Sequence, residues 1–274
     1  MLVFPSPSNF HLHLGAGRHV EFAARFGEVD DVKPYIMAGR THRLPYAELF
    51  DVSNVDDDGN LLDTNNRRAH LNKGNGLFHV DSSFDLRRAG YSLLRAHTLP
   101  PTGMGGNTEF ADSRTAFDDL PPELKHELLS KDYIACHSLM PSRRKASPAV
   151  LADLNALDFP MGRHRLVQRH EPGGRQNLYV AAHVHHIEGL DAAASDALIE
   201  RLMAHATRRQ NVLSVGWEAD GDLLLWDSTA VMHQSAGGAF EGRFVRDMRR
   251  ATVHDGSVHA WGLKEHVDTR QGFS

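Results

Sequence analysis

Apolar and polar residues alternate through residues 77–84 (LFHVDSSF). This alternation predicts a half-buried β-strand, because successive side chains of a strand point to opposite faces. Residues two apart share a face, so we expect His79 and Asp81 to project together. The predicted strand therefore places an imidazole beside a carboxylate, and the rest of the chain decides what this pair can do.

Short apolar runs bounded by turn residues recur along the chain and predict further strands. The run at residues 223–226 (LLLW) is continuously apolar and is typical of a buried strand. Other predicted strands lie at residues 2–4, 50–52, 91–97, 107–110, 165–171, 176–181 and 244–253. Many short strands with few helices favour a mostly β fold with flanking helices, built as a β-sandwich of the jelly-roll type.

Helical spacing of apolar residues predicts helices at residues 17–26, 113–130 and 191–209. The last is the clearest, since Asp191 is a suitable N-cap and apolar residues recur on one face. Residues 141–163 are basic and contain Pro and Gly, and we interpret them as a mobile insertion. Because the chain shows no repeat and no convincing linker, the sequence predicts a single domain over residues 1–274.

The composition is that of a globular protein, with 41% hydrophobic and 24% charged residues. A net charge of −5 gives no reason to expect nucleic acid or an anionic membrane as a partner. The single cysteine, Cys136, cannot form an internal disulfide, and no apolar run approaches the length of a membrane span. A cytoplasmic protein is therefore expected.

The pair His79 and Asp81 supplies two ligands of a 2-His-1-carboxylate site, which holds non-haem Fe(II) and leaves coordination positions open. A third ligand must come from a distant part of the sequence. His233 is the best candidate, because it follows the buried strand at 223–226. His183 and its neighbours His185 and His186 compete on spacing alone, although no nearby carboxylate completes that cluster.

Five segments, in this order, resemble the Fe(II)/2-oxoglutarate dioxygenase family that includes taurine dioxygenase and the 2,4-dichlorophenoxyacetate dioxygenases. They are residues 22–27 (FAARFG), 75–81 (NGLFHVD), 105–112 (GGNTEFAD), 226–228 (WDS) followed by His233, and 246–252 (RDMRRAT). The ordered set spans nearly all of residues 1–255, which makes it far more specific than any one segment. The resemblance implies a double-stranded β-helix, or jelly-roll, dioxygenase core.

The same resemblance implies the chemistry and the residues that serve it. His79, Asp81 and His233 are expected to bind one Fe(II), with 2-oxoglutarate and O2 as cosubstrates. Arg246 and Thr108 are expected to hold the 5-carboxylate of 2-oxoglutarate, since a guanidinium pairs bidentately with a carboxylate. The reaction would release succinate and CO2 and oxidise a second substrate.

That second substrate is expected to be small and anionic, a carboxylate or a sulfonate. Arg250 lies four residues beyond Arg246, so on one strand both would face the same cavity, while Arg249 would face away. Arg250 is expected to bind the anion, with Asn75 and Phe78 as further substrate-binding residues. Two alternatives stay open: an amino-acid-like substrate in secondary metabolism, and a non-catalytic binding protein, against which the intact triad argues.

The chain also departs from the family pattern. Part of the family's usual N-terminal segment is missing before Leu2, Phe78 replaces the usual Trp, and Ser228 replaces the usual Asn. The missing segment would leave apolar surface that needs cover, so a homo-oligomer is expected. The changes around the triad leave the predicted iron ligands intact and the substrate undetermined.

Overall fold

The computed structural model describes residues 2–4, 15–32 and 42–263, and strands dominate this part of the chain. The strands are β1 (Leu2–Phe4), β2 (Leu49–Ser53), β3 (Ala89–Thr98), β4 (Thr108–Asp112), β5 (Ile134–His137), β6 (Gly162–Arg165), β7 (Val167–Arg169), β8 (Gln176–Leu178), β9 (Val184–Ile187), β10 (Val212–Val215), β11 (Leu223–Asp227), β12 (Val231–Ser235) and β13 (Asp247–His254). The α-helices are α1 (Ala16–Ala23), α2 (Arg67–Asn72), α3 (Ser113–Asp118), α4 (Pro122–Lys131), α5 (Met140–Ala146) and α6 (Ala192–Ala206). The predicted class, mostly β with flanking helices, is confirmed.

The larger sheet contains five antiparallel strands in the order β1-β11-β3-β13-β2. Strand β11 is continuously apolar because both of its faces are covered. Leu223 and Leu225 pack into one buried cluster, whereas Leu224 and Trp226 pack into another on the opposite face. Alternation is lost where neither face meets water, which is why this strand reads as an unbroken apolar run.

A smaller antiparallel sheet, β10-β4-β12, shares an apolar core with the larger one. Phe110 of β4 packs with Leu224, Trp226 and Met248 of the larger sheet. The rings of Phe110 and Trp226 meet edge to face with centroids 5.4 Å apart. Two sheets around one core form the β-sandwich that the sequence predicts; two further small sheets, β6-β5-β9 and β7-β8, complete the described strands.

The helices confirm one prediction and correct another. Helix α6 begins after Asp191, whose carboxylate accepts a hydrogen bond of 2.8 Å from the backbone N–H of Ala194. The single helix predicted at 113–130 is wrong, because α3 ends at Asp118 and α4 begins at Pro122. Two consecutive prolines, Pro121 and Pro122, lack the N–H groups that a continuous helix would need.

The strand predicted at residues 77–84 is wrong. Within it only His79 makes a β-bridge, to His233, and residues 81–84 form a turn. Ser82 adopts a left-handed φ of 51°, and its carbonyl accepts a 3.1 Å hydrogen bond from the N–H of Asp85. The sequence explains the change, since an Asp followed by two serines supplies turn-forming residues and no apolar side chain.

Residues 141–163, interpreted as a mobile insertion, contain most of α5 and a 3-10 helix at Ala156–Asp158. Leu151 is fully buried, and Ala156 packs in one cluster with Leu139 and Phe84. The predicted mobility stays a prediction, but this segment contributes to the core. No helix in the described ranges is long and apolar enough to cross a membrane.

We expect Leu224→Ala to lower the free energy of unfolding by about 2–5 kcal/mol, because it opens a cavity between the two sheets. Urea denaturation measures the effect. Leu213→Ala is the matched control, since Leu213 is a strand leucine that is 53% exposed, against 1% for Leu224. A similar loss in both variants would show that the sandwich does not depend on this core.

Candidate metal centre

A pair of backbone hydrogen bonds joins the two histidines that the sequence singled out. The N–H of His79 donates to the carbonyl of His233, and the N–H of His233 donates to that of His79, both at 2.9 Å. His79 thus extends the small sheet beyond β12, whose other edge pairs with β4. This register brings the two imidazole rings to a centroid separation of 4.3 Å.

Asp81 reaches the same point from the turn that follows His79. One of its carboxylate oxygens lies 3.9 Å from Nε2 of His79, and the other lies 3.6 Å from Nε2 of His233. The three potential ligand atoms all lie within 4.8 Å of one another, and all three residues are buried. Over the described ranges this is the only group of three or more such side chains close enough to hold a metal ion.

The hydrogen bonds and charges of the three residues suit a metal site. Nδ1 of His79 donates to the carbonyl of Leu77 at 2.7 Å, so Nε2, which faces Asp81, carries the free lone pair. Burial lowers the pKa of His79 to about 3 and that of His233 to about 4, which keeps both imidazoles neutral. Burial alone would raise the pKa of Asp81, but Arg250, His233, His79 and the hydrogen bond from Ser92 together outweigh it and lower that pKa to about 2.

Two neutral imidazoles and one ionised carboxylate form the donor set of a 2-His-1-carboxylate site, which suits Fe(II). A carboxylate and two nitrogen donors also leave part of an octahedral ion open to other ligands. The residues present therefore fit the metal that the resemblance implies.

Two serines that sequence reasoning did not single out support the carboxylate. Ser92 of β3 donates to Asp81 at 2.7 Å, and its hydroxyl lies 3.2 Å from that of Ser228, which follows β11. Arg250 of β13 also donates to Asp81. Ser228 belongs to the WDS segment, so the sequence could have placed it near the triad. Nothing in the sequence distinguished Ser92 from the other residues of its predicted strand.

The competing histidines do not complete a triad. His183 is buried, with its ring centroid 5.2 Å from that of His79, but it belongs to no metal-binding group within the described part of the chain. His185 and His186 contact each other through their Nδ1 atoms at 2.8 Å. The structure therefore brings together His79, Asp81 and His233 and leaves the other three histidines outside.

A cavity of about 130 Å³ opens beside the triad. It will be called the triad cavity, and its lining includes His79, Asp81, Asn75, Arg143, His183 and Arg250. Phe78 is absent from it, because neighbouring residues of extended chain point to opposite sides. Phe78 instead packs on the helical side of the core and lines a separate groove with Pro141 and Met203. Its contact with a substrate stays a prediction.

Arg246 lies at a second, adjoining cavity of about 530 Å³, which will be called the Arg246 cavity. Nε and Nη2 of Arg246 donate to the carbonyl of Gly106 at 3.3 and 3.0 Å. Gly106 has a φ of +87°, and a Cβ there would lie 3.1 Å from Nε, so this position requires glycine. Thr108, two residues on, is buried and accepts a 3.3 Å hydrogen bond from Trp217.

Arg246 has no carboxylate partner within 4.0 Å among the residues the structure describes, although it is only 5% exposed. Burial lowers its pKa to about 10, which is still well above neutrality. A buried guanidinium held only by a carbonyl oxygen is suited to receive an anion. This fits the expected contact with the 5-carboxylate of 2-oxoglutarate.

The two arginines expected to share a cavity lie in adjoining ones. Arg246 precedes β13, and the register of β13 against β3 shifts between Asp247 and Met248. The extra residue of this bulge belongs to β3, because Asp247 pairs with Thr98 and Met248 pairs with Ala96, while β13 pairs with β2 without a shift. Four residues of extended chain span about 13 Å, and this distance along the strand separates the two arginines. Arg249 donates to Asp247 at 3.4 Å, away from Arg250 and the triad, as the strand pattern predicts.

Comparisons with known proteins agree with this geometry. The family model "Taurine catabolism dioxygenase TauD, TfdA family" matches residues 8–252. An alpha-ketoglutarate-dependent 2,4-dichlorophenoxyacetate dioxygenase of Burkholderia sp. (strain RASC) is 37% identical over 251 residues, covering 88% of this chain and 78% of that protein. An (S)-phenoxypropionate/alpha-ketoglutarate-dioxygenase of Sphingobium herbicidovorans is 30% identical over 243 residues, covering 86% and 76%.

A solved structure adds a comparison of folds. The crystal structure of AAD-2 in complex with Mn(II) and N-oxalylglycine matches with a TM-score of 0.79 and 34% identity, covering 89% of this chain and 82% of that chain. The predicted jelly-roll core is thereby confirmed. Because the family model and these relatives match across most of the sequence, the chain belongs to the TauD, TfdA family of dioxygenases.

Proposed function

We propose that this protein is an Fe(II)/2-oxoglutarate-dependent dioxygenase that oxidises a small anionic substrate and releases succinate and CO2. The observation that carries the proposal is the buried group of His79, Asp81 and His233 beside a cavity that contains Arg250. Enzymes of the family use Fe(II), 2-oxoglutarate and O2. The intact group of three buried ligand residues favours an enzyme over a binding protein that has lost its activity.

The metal would be held by Nε2 of His79, Nε2 of His233 and the carboxylate of Asp81. When bound, Fe(II) supplies the redox chemistry that couples the decarboxylation of 2-oxoglutarate to substrate oxidation. The protein's own contribution is placement. The backbone bonds between His79 and His233 fix both rings, and Ser92 and Arg250 hold the carboxylate ionised.

The cosubstrate would be anchored in the Arg246 cavity. Arg246 offers its guanidinium to the 5-carboxylate, and Thr108, on the strand that follows Gly106, offers a hydroxyl. The carbonyl of Gly106 orients the guanidinium before the ligand arrives, which reduces the ordering cost on binding.

The substrate anion would bind in the triad cavity, where Arg250 lies over the ring of Phe50 at 5.0 Å and contacts Asp81. Relatives act on 2,4-dichlorophenoxyacetate, on (S)-phenoxypropionate and, in Pseudomonas putida, on sulfate esters, each of which is an anion. An aryloxyalkanoate or a comparably small anion is the class we propose. The expected cytoplasmic location, the homo-oligomer and the lack of nucleic-acid or membrane partners stay predictions.

His233→Ala should abolish the visible charge-transfer band that forms when Fe(II) and 2-oxoglutarate are added without O2, because it removes one of three metal ligands. Anaerobic absorption spectroscopy measures the band. His183→Asn is the control, since His183 is a buried neighbour of the triad that lies outside it. Loss of the band in the control and its retention in His233→Ala would move the third ligand to His183.

Arg246→Gln should raise the 2-oxoglutarate concentration needed for half-maximal turnover by more than about tenfold. Losing a buried charge-assisted pair costs on the order of 2–5 kcal/mol, and about 1.4 kcal/mol is already a factor of ten. Titration of succinate release against 2-oxoglutarate measures the change. An unchanged titration curve would remove Arg246 from the cosubstrate site.

Arg250→Ala should raise the KM for the anionic substrate by more than about tenfold while 2-oxoglutarate binding changes less than about twofold. Steady-state kinetics with phenoxyacetate and the anaerobic band measure the two effects separately. Arg249→Ala is the control from the opposite face of the same strand and should alter neither. Equal effects of both substitutions would show that Arg250 does not bind the anion.

A further inference from the structure

Arg143 is a further cation in the triad cavity, and none of the roles described above uses it. It lies on α5, in the basic segment 141–163 that the sequence marked only as an insertion. Its neighbours Arg144 and Lys145 on the same helix are exposed, whereas Arg143 turns inward and lines the cavity with Asp81 and Arg250.

The guanidinium of Arg143 is held in place by neutral oxygen atoms. Its Nη1 donates to the carbonyl of Leu71 and to Oδ1 of Asn75, both at 2.9 Å. It lies over Gly74, where a Cβ would approach within 2.7 Å of Cδ of Arg143 and closer still to Nη1. The backbone at Gly74 therefore makes room for this side chain.

The charge of Arg143 is not balanced by a nearby carboxylate. Two other arginines of the triad cavity are balanced, because Arg68 pairs with Asp51 and Arg250 pairs with Asp81. Arg143 has no carboxylate within 4.0 Å among the residues that the structure describes. Burial, assisted by the charge of Arg250, lowers its pKa to about 10, so it is still a cation at neutral pH.

Arg246, the residue assigned to the cosubstrate, shows the same combination of features. Each arginine is inside a cavity, bound to neutral oxygen atoms and without a carboxylate partner in the described part of the chain. Leaving a buried charge unpaired is costly, and an oxyanion ligand that accepts from the remaining N–H groups offsets that cost. Arg143 lines the triad cavity and not the Arg246 cavity, so its anion is the substrate and not 2-oxoglutarate.

We propose that Arg143 is a specificity-determining residue that binds the anionic group of the primary substrate together with Arg250. The proposal rests on the proposed function and extends it, because it makes anion recognition a task of two arginines from different elements, α5 and β13. Asn75, expected to orient the substrate, acts on it through Arg143, because its Oδ1 accepts a hydrogen bond from Nη1 of Arg143.

The test compares an acid with its neutral counterpart. Protein loaded with Mn(II) and 2-oxoglutarate is titrated calorimetrically with phenoxyacetate and with phenoxyacetamide. Arg143→Gln should raise the Kd of phenoxyacetate by more than about tenfold and that of phenoxyacetamide by less than about twofold, because only the acid gains a charge-assisted contact. Arg144→Gln, the exposed neighbour on the same helix, should change each Kd by less than about twofold.

Gly74→Ala provides a second variant that keeps the charge. Its methyl group would displace the guanidinium, so it should also reduce the preference for the acid over the amide. Equal weakening of acid and amide in Arg143→Gln would reveal a packing role and contradict the proposal. The proposal would also be contradicted if Arg143→Gln and Gly74→Ala both kept the preference for the acid over the amide, or if the wild type showed no such preference.

Failure of this proposal can be told apart from failure of the proposed function. The anaerobic charge-transfer band with Fe(II) and 2-oxoglutarate reports the metal and cosubstrate sites alone. A wild type without the band would refute the dioxygenase function whatever the anion titrations show. A normal band in Arg143→Gln with lost preference for the acid places the defect at the substrate.

Discussion

The reciprocal backbone hydrogen bonds between His79 and His233 are the constraint on which the site depends. They tie the turn before β3 to the outer edge of β12 and fix the register of two residues far apart in sequence. A shift of one residue in that pairing would turn one imidazole to the opposite side of the sheet. Packing behind β12 opposes such a shift, since the ring of His233 lies 4.7 Å from that of the fully buried Trp226.

Charge balance is the second constraint, and it links the candidate metal ligands to Arg250. Asp81 is buried, which by itself favours the protonated acid, yet Arg250 and Ser92 keep it ionised. Burial also keeps His79 and His233 neutral. The same site therefore holds the carboxylate ionised and the two imidazoles uncharged, which are the forms that bind a metal. Arg250 also lines the triad cavity, so it borders both the candidate metal ligands and the space where we propose that the anion binds.

The sequence predicted the members of the site better than the local structure that places them. Motif order identified His79, Asp81 and His233, yet residues 81–84 form a turn where a strand was predicted. Alternation over a few residues cannot distinguish the two when the polar positions are Asp and Ser. Periodicity placed Arg246 and Arg250 in one cavity, but it carries no information on how the space along β13 is divided, and the two arginines line adjoining cavities. The sequence also could not predict that the side chain of Arg143 points into the cavity, because this depends on the space left by Gly74 in another segment.

The two cavities adjoin and share Asn72 and Asn75 in their linings. On each side of this boundary stands an arginine whose described partners are neutral oxygen atoms, the buried Arg246 on one side and the half-buried Arg143 on the other. Two anionic ligands in one undivided space would repel each other, and the stronger binder could occupy both positions. A polar amide boundary with one unpaired cation on each side gives each anion its own counter-charge. Asn75 belongs to this boundary and also accepts a hydrogen bond from Arg143. The position of the arginine that we propose binds the substrate therefore depends on the boundary between the two cavities.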